Sequence, residues 1–169
     1  MNAITLLFTE HRLIQKAINI LNKFSQKDLN PVLIDGFVDF FRTYADKRHH
    51  GKEEAIFFKA LEAKTLSAEL KKIMVELIEE HKKARKLISD LESLKSGPRQ
   101  EVQSCIQKIV RLYTSHIDKE NRHFFIPAFD LFSKEEKNNL LKRFQEFDQT
   151  LVPKDYEQVL KEIEKLFHS

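Results

Sequence analysis

Four histidines and two glutamates recur in this chain at matched spacing. His49, Lys52, Glu53, Phe57 and Phe58 repeat as His116, Lys119, Glu120, Phe124 and Phe125, and upstream Glu10-His11-Arg12 with Ile18 and Leu21 repeats as Glu80-His81-Lys82 with Ile88 and Leu91. A His and a Glu four residues apart on a helix stand about 6 Å apart on one side, so both can reach one metal centre. The spacing alone is weak, because the Glu content and seven histidines yield roughly one such pair by chance. Orientation adds more.

At about 100° per residue, His11 lies on the stripe of Ile4, Leu7, Ile14 and Ile18, and His81 on that of Leu70, Met74, Leu77 and Ile88. His116 shares a face with Val102, Cys105, Ile109, Leu112 and Glu120, while Val38, Ala45, Ile56 and Ala60 surround His49 and Glu53. Each of four helices thus sends one histidine inward. His50 with Glu54 offers a competing pair, but its neighbours Asp39, Thr43 and Asp46 predict a largely wet face, and the repeat aligns His49 rather than His50 with His116. His50 and Glu54 are therefore expected outside the ligand set, near it or at the surface.

Two inward carboxylates without buried Lys or Arg partners would be very costly, and metal cations would supply the missing charge. Six ligands, His11, His49, Glu53, His81, His116 and Glu120, suit two metals. If the carboxylates bridge, positions stay open for water, dioxygen, nitric oxide or peroxide. Imidazole with carboxylate and open positions favours non-haem iron over a closed structural zinc site; manganese and zinc also accept such ligands.

The elements that must position these residues are two repeated helical hairpins, with helices over about 2 to 24, 32 to 62, 67 to 94 and 99 to 127. The expected fold is all-α, an antiparallel up-down four-helix bundle over 1–132, with 133–169 as a C-terminal helical extension packed on it in the same domain. Breaks fall at Asn30-Pro31, Thr65-Leu66-Ser67 and Ser96-Gly97-Pro98. Ser133 with Glu136 reads as a capping box opening a fifth helix, and Val152-Pro153 precedes a sixth over about 155 to 167. Leu140, Leu141, Phe144, Phe147 and Leu151 give that extension an apolar stripe, expected to pack back on the bundle.

Composition agrees with long helices and one core. The chain has 169 residues, with three Gly and four Pro against 33% charged residues, so turn formers are scarce. The net charge of +3 comes from interleaved basic and acidic residues, the pattern of a solvated helix face rather than of nucleic-acid or membrane binding. Cys105 is the only cysteine, which excludes an intramolecular disulfide and predicts a reducing compartment. With no run near 18 apolar residues and no basic stretch before the interrupted N-terminal apolar segment, a cytoplasmic location is expected.

Through Glu10-His11-Arg12, His49-His50-Gly51-Lys52-Glu53-Glu54, Glu80-His81 and His116-Ile117-Asp118-Lys119-Glu120-Asn121, the sequence resembles the hemerythrin-like, or HHE cation-binding, family over about residues 1 to 132. The resemblance implies a non-haem di-iron centre held by the six residues above. It differs from the oxygen-carrying hemerythrins, which place a further histidine where Leu77 stands and end with a His and an Asp five apart, whereas His116 and Glu120 are four apart. It is closer to the broader branch, which includes sensors of iron and oxygen and proteins that repair iron centres. The repair proteins often carry a cysteine-containing N-terminal domain, and this chain is expected to open directly on its first helix. The implied function is binding of, or reaction with, a small ligand such as O2, NO or peroxide, for sensing, detoxification or storage. A metal-stabilised interaction module and an iron-centre repair protein are the alternatives. No protein partner can be named.

His123, about 10 Å along the axis from His116, is expected to make a local hydrogen bond on the inward stripe. Tyr44, Tyr113 and Cys105 are expected in or beside the core, and His168 in solvent. The 14 Phe residues read as core and as a wall limiting water around the metals.

Overall fold

Each helix begins where the sequence supplies a cap. In the computed structural model, which describes residues 1–27 and 29–168, α1 (Ala3–Ser25) starts with Asn2 Oδ1 accepting from the Thr5 amide at 2.9 Å. The second helix, α2, spans 31–61 behind Asn30, whose side chain accepts from Val32, with Pro31 in the first turn where no N–H is needed. Ser67 caps α3 (Ala68–Leu94). Helix α4 opens with Arg99–Lys119 and continues to Phe129. The capping box forms at the head of α5 (Lys134–Gln149), with Ser133 and Glu136 bonding each other's backbone amides, and α6 covers Tyr156–His168. All elements are helical, with no strand among the described residues.

Two helices are not regular. Helix α2 is α-helical over Pro31–Phe40, widens to π-helical turns over Phe41–His50 and Glu53–Phe58, and closes as α over Lys59–Leu61. Helix α4 widens over Glu120–Phe124, where the Phe125 amide reaches back five residues to the Glu120 carbonyl. At Phe124 φ falls to -118° and an α-turn restarts at Phe125, so Pro127 lands in a first turn. Both widened stretches carry site residues; α1 and α3, with one inward histidine each, stay regular.

Helices α1, α2, α3 and α4 pack in a helical bundle, each touching the next and α4 returning to α1. The apolar core is split in two. One cluster gathers Ile14, Phe24, Phe37, Phe41, Ile109 and Tyr113; the other gathers Leu7, Phe57, Leu77, Phe124, Phe125 and Phe144. Between them along every helix falls a polar layer: His11 follows Leu7 and precedes Ile14, and His81 stands between Leu77 and Ala84. The C-terminal helices cover apolar faces, with Leu140 and Phe144 in the second cluster and Leu160 and Ile163 in the first.

Cys105 and Tyr44 lie in the core as expected. His123 does not point inward. It is exposed, because the wide turn over Glu120–Phe124 breaks the 3.6-residue phase from which its orientation was read. The side chain of His168 lies outside the described residues. No helix among the described residues is long and apolar enough to cross a membrane.

Candidate metal centre

The polar layer brings all six expected residues together and adds a seventh, His50. Their donor atoms form two groups, His11, His49, Glu53 and Glu120, and His50, Glu53, His81 and His116, each with atoms within 4.8 Å of one another. Glu53 belongs to both: Oε1 lies 3.1 Å from His49 Nε2 and Oε2 lies 3.2 Å from His81 Nε2. Glu120 spans likewise, 3.0 Å from His11 Nε2 and 3.1 Å from His116 Nε2.

His50 corrects the expectation of a wet face. It is 2% exposed and its ring stacks on that of His81 with centroids 3.8 Å apart. The reason is the wide helix: π-helical turns advance each residue by less than the α-helical angle, so His49 and His50 diverge less and both enter the interior. A second expectation also changes, since a buried cation does exist. Lys52 is fully buried, but it pairs with Glu10 and Asp148, not with Glu53 or Glu120, so those two carboxylates still lack a fixed cation.

Every imidazole is tethered through Nδ1, which leaves Nε2 facing the centre. His11 Nδ1 meets Asn121 Oδ1 at 2.6 Å, His49 meets Glu10 at 2.8 Å, His50 meets Asp46 at 3.1 Å, His81 meets Glu54 at 2.7 Å and His116 meets Glu80 at 2.7 Å. An outer acceptor on Nδ1 fixes the ring and strengthens Nε2 as a donor to metal. These partners were within reach of the sequence. Glu10 and Glu80 are equivalent in the repeat, as are Glu54 and Asn121 and also Lys52 and Lys119, but periodicity does not say which helix each would touch.

Six of the facing atoms are unsatisfied, while His81 Nε2 and His116 Nε2 meet each other at 3.1 Å. His11 Nε2, His49 Nε2 and both carboxylate oxygens of Glu53 and Glu120 are buried without a hydrogen-bond partner; the 3.0 to 3.1 Å contacts among them are close in distance but misaligned as hydrogen bonds. Lone pairs that converge without bonding one another fit a cation between them, and imidazole with carboxylate is a donor set for a divalent transition metal.

Protonation follows the same logic. Burial pushes the imidazoles toward neutrality, but for His49 the charge of Glu53 and the hydrogen bond to Glu10 outweigh it and raise its pKa to about 10; for His116 the Glu120 charge does the same, to about 9. His81 also moves up against its burial, through Glu120, Glu53 and Glu54. Burial raises Glu53 and Glu120, yet the surrounding histidines outweigh it and hold both below the usual carboxylate range. His50 moves down, by burial and then by the charges of His81, His116 and His49.

A pH dependence follows. Without metal, His49 and His116 stay protonated well above their ordinary value of 6.5, so their stabilisation is complete below pH 6.5 and lost as pH rises to about 10. The melting temperature in chelator is expected to fall across that window. Adding a divalent metal should release protons and flatten the slope, because the cation replaces the protons on Nε2. A chelated protein equally stable from pH 6.5 to 10 would contradict this charge balance.

Access is narrow. Between Ala84, Leu112 and Tyr113 the packing around His50, His81 and His116 leaves no room for a water molecule, and a surface groove of about 550 Å³ between α2 and α3 also borders Ala84 and Tyr113. On the opposite side the His11 ring stacks on Phe125.

The comparison with curated proteins and that with solved structures each found no match. The family model described as the hemerythrin HHE cation binding domain matches residues 2–126, a span that holds all seven residues of the centre. With that match over most of its length, and with His and Glu side chains placed to hold cations, the chain belongs to the hemerythrin HHE cation binding domain family.

Proposed function

We propose that this chain is a non-haem di-iron protein in which an antiparallel up-down arrangement of α1 to α4 would hold two ions, with Glu53 and Glu120 each placed to offer an oxygen to both. His50, His81 and His116 would hold one ion, and His11 and His49 the other. The carrying observation is the set of buried, unbonded donor atoms on His11, His49, Glu53 and Glu120, which a folded chain retains at high cost unless cations satisfy them. Bound iron would supply redox chemistry toward dioxygen, nitric oxide or peroxide.

The side chains do the rest. Three imidazoles on one side against two on the other leave the His11 and His49 side poorer in donors, so a small external ligand would complete the set there. Phe125 and the second apolar cluster keep bulk water away, and the closed packing beside Tyr113 excludes large molecules. Sensing, detoxification and storage all use such a centre; cytoplasmic residence fits the single unpaired Cys105.

Anaerobic loading with ferrous iron should give about two ions per chain, the number two bridged donor groups accommodate. Exposure to air should then produce a near-ultraviolet or visible absorption band of the oxidised, ferric protein. A protein that stays colourless and retains no iron would end the proposal. Turnover of peroxide or nitric oxide far above that of free iron would mark an enzyme.

A further inference from the structure

The two halves of the centre share one three-residue relay, and its outer end differs between them. In each half a lysine holds one oxygen of a glutamate whose other oxygen meets a histidine Nδ1: Lys52, Glu10 and His49 on one side, and Lys119, Glu80 and His116 on the other. The lysines differ in their second partner. Lys119 is 23% exposed and takes Glu76 of α3 at 3.0 Å. Lys52 is fully buried and takes Asp148 of α5 at 2.7 Å. Asp148 lies outside the span matched by the family model.

We propose that Asp148 is a positioning residue for the His11 and His49 side of the metal centre, acting through Lys52 and Glu10 on the Nδ1 of His49. The inference rests on the di-metal reading above. Arg48, 35% exposed, and the fully buried Lys52 bring two positive charges to this corner; Arg48 Nη2 lies 3.2 Å from Asp148 Oδ2, and Arg48 Nε lies 3.5 Å from Glu10 Oε1. Two carboxylates, Glu10 and Asp148, balance them. With Asp148 neutral, Glu10 alone faces both cations and is drawn from His49, since an unbalanced buried charge costs far more than a lost hydrogen bond.

The helix is seated closely enough for this. A Cβ at Gly51, between His50 and Lys52, would stand 2.8 Å from Phe147 Cζ, so α5 rests on the turn that carries the histidines. His116 lacks such a strap: Lys119 is partly exposed, and its second partner, Glu76, lies on α3 within the bundle. The coupling is therefore one-sided, and the C-terminal extension tunes the ion poorer in protein donors.

The full-length chain, labelled with 15N-histidine, tests this with Zn(II) as the probe. Asp148→Asn should weaken one of two Zn(II) binding steps by about 10 to 100-fold, the usual effect of losing an outer partner of a ligand, and leave the other nearly unchanged. In the metal-free protein it should shift the His49 Nδ1 resonance and not that of His116. Asp148→Glu should restore both readouts, and Glu76→Gln should leave His49 unmoved. Unchanged His49 resonances, or equal weakening of both steps as general loosening would give, overturns the proposal. Should the wild-type protein bind no Zn(II) or iron, the di-metal reading fails, and the metal-free His49 resonance still decides the role of Asp148.

Discussion

Glu53→Ala is expected to strip the protein of both metal ions, with binding weakened by more than about 100-fold, beyond the 10 to 100-fold typical of a lost outer partner. Glu53 is fully buried and is the residue common to both donor groups, with one oxygen beside His49 and the other beside His81. Its loss takes a donor from each ion at once. It also leaves His49 and His81 facing Glu120 as the remaining inner carboxylate, so the charge balance that keeps these imidazoles in a dry interior is halved. Metal analysis after dialysis against a weak chelator reads the result directly. A variant that keeps about two ions per chain would show that Glu53 does not bridge.

His50→Ala and His49→Ala are expected to empty opposite sides of the centre, each leaving about one ion per chain, because each belongs to a different donor group. A His50 outside the ligand set, as its α-helical phase predicts, would leave both ions in place when replaced by Ala. Burial of His50, its stacking on His81 and its Nδ1 contact with Asp46 reverse that expectation. Removing both histidines should remove both ions. If His50→Ala retains two ions with unchanged affinity, His50 serves as a packed core imidazole beside the centre, and the metal on that side is held by Glu53, His81 and His116.

The contrast between His49 and His50 shows how far periodicity reaches. His11 and His81 sit on regular α-helices, and an α-helical count places both correctly among their apolar neighbours. His50 and His123 sit on widened helix, and the same count fails for both. Nothing local in Phe41–His50 announces the widening. It accompanies the crowding of three inward polar side chains, His49, His50 and Glu53, onto one helix facing two others.

The helices, their caps at Asn2, Asn30, Ser67 and Ser133, the two-hairpin repeat and the six residues it aligns were all legible in the sequence, because caps and apolar stripes are short-range properties that spacing alone expresses. Tertiary structure alone decided that His50 is buried with its donor atom beside those of Glu53, His81 and His116, that Glu54 tethers His81 across the interface with α3, and that Asp148 reaches Lys52 from a helix nearly 100 residues away. These contacts join residues on different helices, and their pairing depends on crossing geometry, helix widening and the need to neutralise charge in a dry interior. None of these leaves a periodic trace along one helix.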